Sequence, residues 1–234
     1  LGHECDLIDY ITHDFRLKFT FFGWPKNMNL TYWIYKKVQF PLMVVMMRKM
    51  MPFYKHMNLT RKFSNPEELK ELNDKYDAFI TGSDQVWACD LNCYDDSYFL
   101  SFANDEKIKI AYAASLGRTI DMLKPKEKEF IATKLKRLDK IAFREVSGRE
   151  VARVLADRND TTDVLDPTLL LNKDDWAKVS DYKPKKPYLL CYLMQSKKND
   201  SEALKLAKKI AKERSLELVK ICRGLTSVPM EYVS

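Results

Sequence analysis

The sequence predicts an α/β protein: a Rossmann-like, doubly wound parallel sheet followed by an incomplete second α/β domain. Three observations predict this. "YDAFITGS" and "KIKIAYAASLG" are nearly continuous apolar runs, the habit of strands covered on both faces in parallel sheets. Amphipathic stretches separate such runs, so strand and helix alternate along the chain. A polar, proline-marked break, "NKDDWAKVSDYKPKKP", then gives way to a new strand–helix–strand unit.

The elements follow in order. Gly2 reads as a helix stop and "CDLIDY" as the strand after it. Residues 15–37 are aromatic and lysine-containing without a legible period, and a helical stretch runs from about Tyr35 to Lys55. Asn65-Pro66-Glu67-Glu68 opens a short helix, with Ser64 or Asn65 as cap and proline in the first turn. After the strands "YDAFITGS" and "KIKIAYAASLG", the amphipathic helix "KPKEKEFIATKLKRL" leads to the strand "KIAFRE". Ser147 and Gly148 start the helix "GREVARVLADR", and "TDVLDPTLLL" closes the unit. The domain reading is therefore 1–166, a linker over 167–186, and the opening of a second Rossmann-like domain over 187–234, with "YLLCYLM", "SEALKLAKKIAKERS" (Ser201 at its start) and "LELVKIC". A chain that begins and ends mid-motif reads as a fragment. The strand edge left bare in so small a second domain favours pairing, and a homodimer is expected.

The chain has 234 residues, enough for one large domain or two small ones with real cores. At 46% hydrophobic and 31% charged it excludes wholesale disorder. A net charge of +7 favours anionic partners: phosphorylated small molecules, anionic glycans, nucleic acid or membrane surface. The lysines alternate with glutamates at helical spacing, as in "LKPKEKEFIATKLKRLDK", which reads as a solvated face. No nucleic-acid-binding signature is present, so no nucleic acid is expected. Five scattered cysteines, Cys5, Cys89, Cys93, Cys191 and Cys222, argue for reduced thiols in the cytoplasm. Cys89 and Cys93 lack a second Cys/His pair, and no metal is expected. No signal peptide is legible, and "VQFPLMVVMM" falls short of the about 20 apolar residues that span a bilayer. Contact with the inner face of the membrane through an interfacial helix stays open.

Ligands of open parallel sheets bind beyond the carboxyl ends of the strands. Three such ends are distinctive. In Gly82-Ser83-Asp84-Gln85, glycine lets a ligand approach the backbone, Ser83 and Gln85 can hydrogen-bond oxygens, and Asp84 can accept a proton. Ala114-Ser115-Leu116-Gly117 again places small residues at a strand end. Arg144-Glu145 precedes the helix start at Ser147, where a guanidinium fork beside free helix N–H groups suits an anion. Each has a plainer reading: a turn or cap for the first two, and surface pairing of Arg144 with Glu145, Asp139 or Glu150. Trp87 and Trp176 read as packing. Three small-polar ends in one predicted sheet point to an anion-binding α/β domain.

"YDAFITGSDQVW", "SYFLSFANDEKIKIAYAASLG", "LDKIAFREVSG" and "VLDPTLLLNKDDW" resemble, in that order, the polysaccharide pyruvyl transferase family, and "LGHECDLIDY" resembles the end of that family's first βαβ half. The resemblance implies two Rossmann-like halves as in B-type glycosyltransferases. It implies transfer of a pyruvyl group from phosphoenolpyruvate to a glycan or lipid-linked sugar, forming a ketal, with no cofactor. Arg144 would then bind the phosphate or carboxylate of phosphoenolpyruvate, Asp84 is the base candidate, and Gly82, Ser83 and Gln85 line the cleft with Ser115, Gly117 and Ser147. Two departures stand out. Ala88 occupies a position where the family usually has asparagine, and the family's N-terminal glycine-containing strand and C-terminal His-Gly segment are not in the chain. The isolated chain is accordingly expected to be inactive. A nucleotide-sugar glycosyltransferase on the same scaffold, or a non-catalytic truncated relative, remain the alternatives.

Overall fold

The computed structural model describes residues 3–11, 57–89, 94–178, 185–193 and 197–222, with scattered positions between 34 and 55. The chain divides into two units, one of Leu1–Lys37 and Met50–Lys173, the other of Val38–Lys49 and Asp174–Ser234.

In the first unit every strand pair among the described residues is parallel. β1 (Leu7–Tyr10) pairs with β2 (Leu59–Phe63) as a two-stranded sheet. β3 (Ala78–Thr81), β4 (Ile108–Ala114), β5 (Lys140–Phe143) and β6 (Thr162–Asp163) form a second sheet in chain order. Pairing Ala78 with Ile108 and Ile80 with Ile110 puts these four residues on one face. Phe79 and Thr81, opposite Lys109 and Ala111, point to the other face, and Ala111 in turn meets Ile141.

Helices cover that second face. α1 (Pro125–Leu135) starts where Pro125 presets the first turn and the Glu127 carboxylate accepts the Lys124 N–H at 2.8 Å. It ends where Arg158 reaches back to the carbonyls of Leu135 (3.1 Å) and Leu138 (2.6 Å), groups a helix end leaves without partners. α2 (Val146–Ala156) stops at Asp157, which takes a left-handed φ of 53° and returns its N–H to Ala152. Ile131 and Leu135 from α1 and Val151 and Ala152 from α2 are buried with Phe79, Ala111, Ile141 and Phe143 in one core. A fully buried side chain of this kind contributes about 1.5–3 kcal/mol. Trp87 belongs to the same core, stacked on Phe99 at 5.0 Å, with its indole N–H donated to the Tyr98 carbonyl at 2.9 Å.

Parallel α/β architecture is therefore present, with differences in detail. The first unit's strands fall into two sheets among the described residues, where one was expected. β2 was not legible, because Arg61 and Lys62 break its apolar pattern; Arg61 lies on the surface, paired with Glu71 at 2.7 Å and Glu68 at 3.1 Å. The helix expected after Asn65 is a 3-10 helix, Pro66–Asp74, capped by the Asn65 side chain on the Glu68 N–H. Most of the helical stretch over Tyr35–Lys55, and nearly all of 15–37, lie outside the described residues, as does Cys93.

In the second unit, β7 (Tyr188–Leu193) and β8 (Glu217–Cys222) pair in parallel through unbroken register. α4 (Lys197–Glu213) connects them and packs Ala207 and Ala211 against Cys191 and Leu218. It begins one turn ahead of Ser201, since no glycine or proline interrupts Lys197–Asp200. A short α3 (Lys173–Ala177) precedes this unit's strands. No described helix is long and apolar enough to cross a membrane.

Candidate active site

The loops after β3, β4 and β5 meet because parallel neighbours in chain order deliver their carboxyl ends to one rim. Beyond β3 the pairing continues: Asp84 bridges Ala114, the Ser115 N–H donates to the Asp84 carbonyl at 3.0 Å, and the Trp87 N–H to the Ser115 carbonyl at 3.1 Å. Gly82 makes this approach feasible. It has φ of 117°, and a β-carbon there would lie 2.0 Å from the Tyr112 carbonyl oxygen. Across the β4–β5 pair the register shifts between Ala111 and Ala114, where Ala113 takes a φ of 53°, and this irregularity turns Ser115 toward the β5 end.

Arg144 is the centre of the rim. Its Nη1 donates to Asp166 Oδ2 at 3.1 Å, Nη2 to Asp84 Oδ1 at 3.5 Å, and Nε lies 3.6 Å from Glu145 Oε2. Ser83 donates its hydroxyl to the same Asp166 Oδ2 at 2.7 Å. Asp166 is held from its other oxygen by the Thr168 N–H at 3.0 Å and the Thr168 hydroxyl at 2.7 Å. These donors, Ser83 foremost, then Thr168 and Arg144, hold the Asp166 carboxyl well below the usual carboxylate range. Burial works to lower the Arg144 guanidinium, but the Asp166 hydrogen bond and the charges of Asp84, Glu145 and Asp166 outweigh it, and its pKa is raised. The Asp84 side chain is 87% exposed, the loosest of the three partners.

A second set of contacts shapes the rim. Ser115 is 1% exposed; its hydroxyl donates to Glu145 and accepts the Gly117 N–H at 3.0 Å. Gly117, at φ 68°, lies under Gln85, whose side chain a β-carbon would meet at 2.8 Å. Gly148 lies against the Phe143 ring, 2.2 Å from where its β-carbon would be, so α2 approaches β5 closely just behind Arg144.

The polysaccharide pyruvyl transferase family model matches residues 1–223. The chain belongs to this family. It is a family of transferases, which places the protein among enzymes in general terms. No curated protein matches the chain.

For this pyruvyl transferase family member, the structure brings Ser83, Asp84 and Arg144 into one hydrogen-bonded network and sets Gln85 on Gly117. Ser115 stands behind them, its hydroxyl engaged by Glu145. Ser147 lies in the first turn of α2, whose N-cap is Glu145, so the helix begins at Val146 rather than at Ser147. Of the surface partners weighed for Arg144, Glu145 is one, whereas Asp139 is engaged by the Lys109 N–H at 2.7 Å. Sequence reasoning missed Asp166, taken only as a domain end. Its signal was the Asp-Pro-Thr order of a helix cap: it caps the 3-10 turn Pro167–Leu169.

Proposed function

We propose that this rim is the donor-binding side of a pyruvyl transferase that takes phosphoenolpyruvate and builds a ketal on a sugar of a cell-surface polysaccharide. The observation that carries the reading is the Arg144 fork at the carboxyl ends of adjacent parallel strands, one arm fixed by Asp166 and the other only loosely engaged by exposed Asp84. Phosphoenolpyruvate carries about three negative charges near neutral pH. Three carboxylates around one guanidinium oppose such an ion, so its binding requires that a donor oxygen displace Asp84 from Nη2. Asp166 and Ser83 keep the fork aimed meanwhile, and the N–H groups at the start of α2 add the positive end of its dipole. The net charge of +7 favours the encounter.

The chemistry follows. A proton adds to C3 of the enol phosphate, leaving C2 oxocarbenium-like; a sugar hydroxyl attacks C2, and the C2–O bond to phosphate breaks with its electron pair leaving on phosphate. A second hydroxyl of the same sugar then closes the ring. Of the two hydroxyl protons released, one balances the proton gained at C3 and the other leaves with phosphate. Asp84, freed from Arg144, is the base that takes a hydroxyl proton. On this reading the reaction takes place in the cytoplasm, at the inner face of the membrane.

The test is phosphate release from phosphoenolpyruvate by the full-length gene product with a panel of acceptor sugars. Arg144→Lys keeps the charge and loses the fork, and is expected to lower kcat/KM about 10- to 100-fold, the worth of a charged hydrogen bond of about 1.5–3 kcal/mol. No release with any acceptor, or release indifferent to Arg144→Lys, would overturn the reading.

A further inference from the structure

A groove of about 400 Å³ lies along α2, within the usual size of a small-ligand cleft. Val146, Arg149, Glu150 and Arg153 form one wall; their spacing sets them on one helical face. The other wall is Arg158, Asn159 and Thr161, on the segment that leads from α2 into β6. One end adjoins the rim. Val146, 70% exposed, directly follows Glu145, and Asp163, which accepts from Arg149 at 2.9 Å, lies just before Asp166 in the chain. From Val146 to Arg153 the helix rises roughly 10 Å, room for a disaccharide.

The charges of the groove cancel. Asp163 offsets Arg149, Asp160 offsets Arg158, and Glu150 shares the α2 face with Arg153. Every N–H of Arg158 is engaged, by Asp160 and by the carbonyls of Leu135, Leu138 and Asp139, so this side chain builds the wall and binds nothing further. The groups left open are of both kinds. Among the described residues Arg153, Glu150 and the Thr161 hydroxyl have no hydrogen-bond partner, and Arg149 donates through Nη1 alone. An anion would use the donors and leave the Glu150 carboxylate unsatisfied beside it. A hydroxyl both donates and accepts, so a neutral polyol satisfies guanidinium, carboxylate and threonine together.

We propose that this groove is a subsite for a neutral saccharide, the stretch of acceptor glycan next to the sugar that reacts at the rim. Arg149 and Arg153 donate to its hydroxyls, Glu150 accepts from them, and Thr161 does either. Val146 covers an apolar ring face where the glycan enters the rim. The name of acceptor rests on the donor-site reading; saccharide binding does not.

Amide spectra of the chain, titrated with cellobiose, maltose and lactose at millimolar concentration, test this. At least one disaccharide is expected to shift the amides of Arg149–Thr161, with a millimolar Kd. Arg153→Ala and Glu150→Ala, both on exposed positions of α2, should each raise that Kd about tenfold, the effect of losing a hydrogen bond to a charged group. Thr161→Val should raise it less. Val154→Ala, exposed on the same helix but outside the groove, should leave it unchanged. Inorganic phosphate is the anionic arm and should leave the same amides unmoved. The proposal is overturned if no disaccharide shifts them, or if the shifts survive both Arg153→Ala and Glu150→Ala. Phosphate shifts as large as those of the saccharides also overturn it, making the groove an anion site. Phosphoenolpyruvate enters no arm, so this outcome and the donor-site reading fail separately.

Discussion

Gly148 connects the fold to the rim, and Gly148→Ala tests that connection. A β-carbon at this position would lie 2.2 Å from Phe143 Cδ1, 2.7 Å from Cγ and 2.8 Å from Cε1. Ordinary contact begins more than an ångström further out, so either the ring or the first turn of α2 must move. The ring is confined: Phe143 has no exposed surface and meets Trp87 edge-on at 5.6 Å. Overpacking a fully confined site costs about 3 kcal/mol, and the helix preference of alanine over glycine returns about 1 kcal/mol. The expected loss is then about 2 kcal/mol, a fall of roughly 4–8 °C in Tm for a chain of this length. Urea denaturation at constant m-value measures it. The double variant Gly148→Ala, Phe143→Leu removes the colliding ring carbons, and should destabilise by less than the sum of its parts. A single variant as stable as the parent, or strictly additive losses, would refute the idea that ring contact alone demands glycine here.

Two further outcomes rest on polar groups. Because the folded Asp166 carboxyl is depressed, its stabilising effect is whole above the unfolded value of about 3.9 and fades only as pH falls below it. Denaturation of the parent and of Asp166→Asn should therefore converge on acidification from about pH 5 to pH 2; parallel profiles would contradict the network around Ser83 and Arg144. Lys109, 3% exposed, donates its ammonium to the carbonyls of Asn104, Asp105 and Lys107 at 3.2, 3.0 and 2.6 Å. Lys109→Met keeps the stem but removes the ammonium from all three carbonyls, leaving the Asn104 carbonyl only the Lys107 N–H at 3.2 Å, and should cost about 2–3 kcal/mol in chemical denaturation; a neutral effect would show the loop to be held by other means.

Legibility in the sequence followed the range of the interactions. β3, β4, β5, α1 and α2 were readable because apolar runs, prolines and amphipathic spacing are local properties. β2 was not, because its Arg61 is drawn out by Glu68 and Glu71 on the neighbouring 3-10 helix and spoils the strand pattern. At the rim, the Gly82–Gln85 and Arg144 segments stood out as small or cationic residues at strand ends. Asp166 did not, since its cap to Thr168 is local while its bonds to Ser83 and Arg144 are not.

By itself the sequence determined the alternation of strand and helix, the parallel character of the strands and the membership of a transferase family, since each is written in short stretches of consecutive residues. Tertiary structure alone decided that the described strands of the first unit divide into two sheets, and that Asp166 links Ser83, 83 residues away, to Arg144, 22 residues away. The reason is physical. Side-chain periodicity is set by neighbours along the chain, whereas edge pairing and shared carboxylates depend on distances that exist only after the strands have packed.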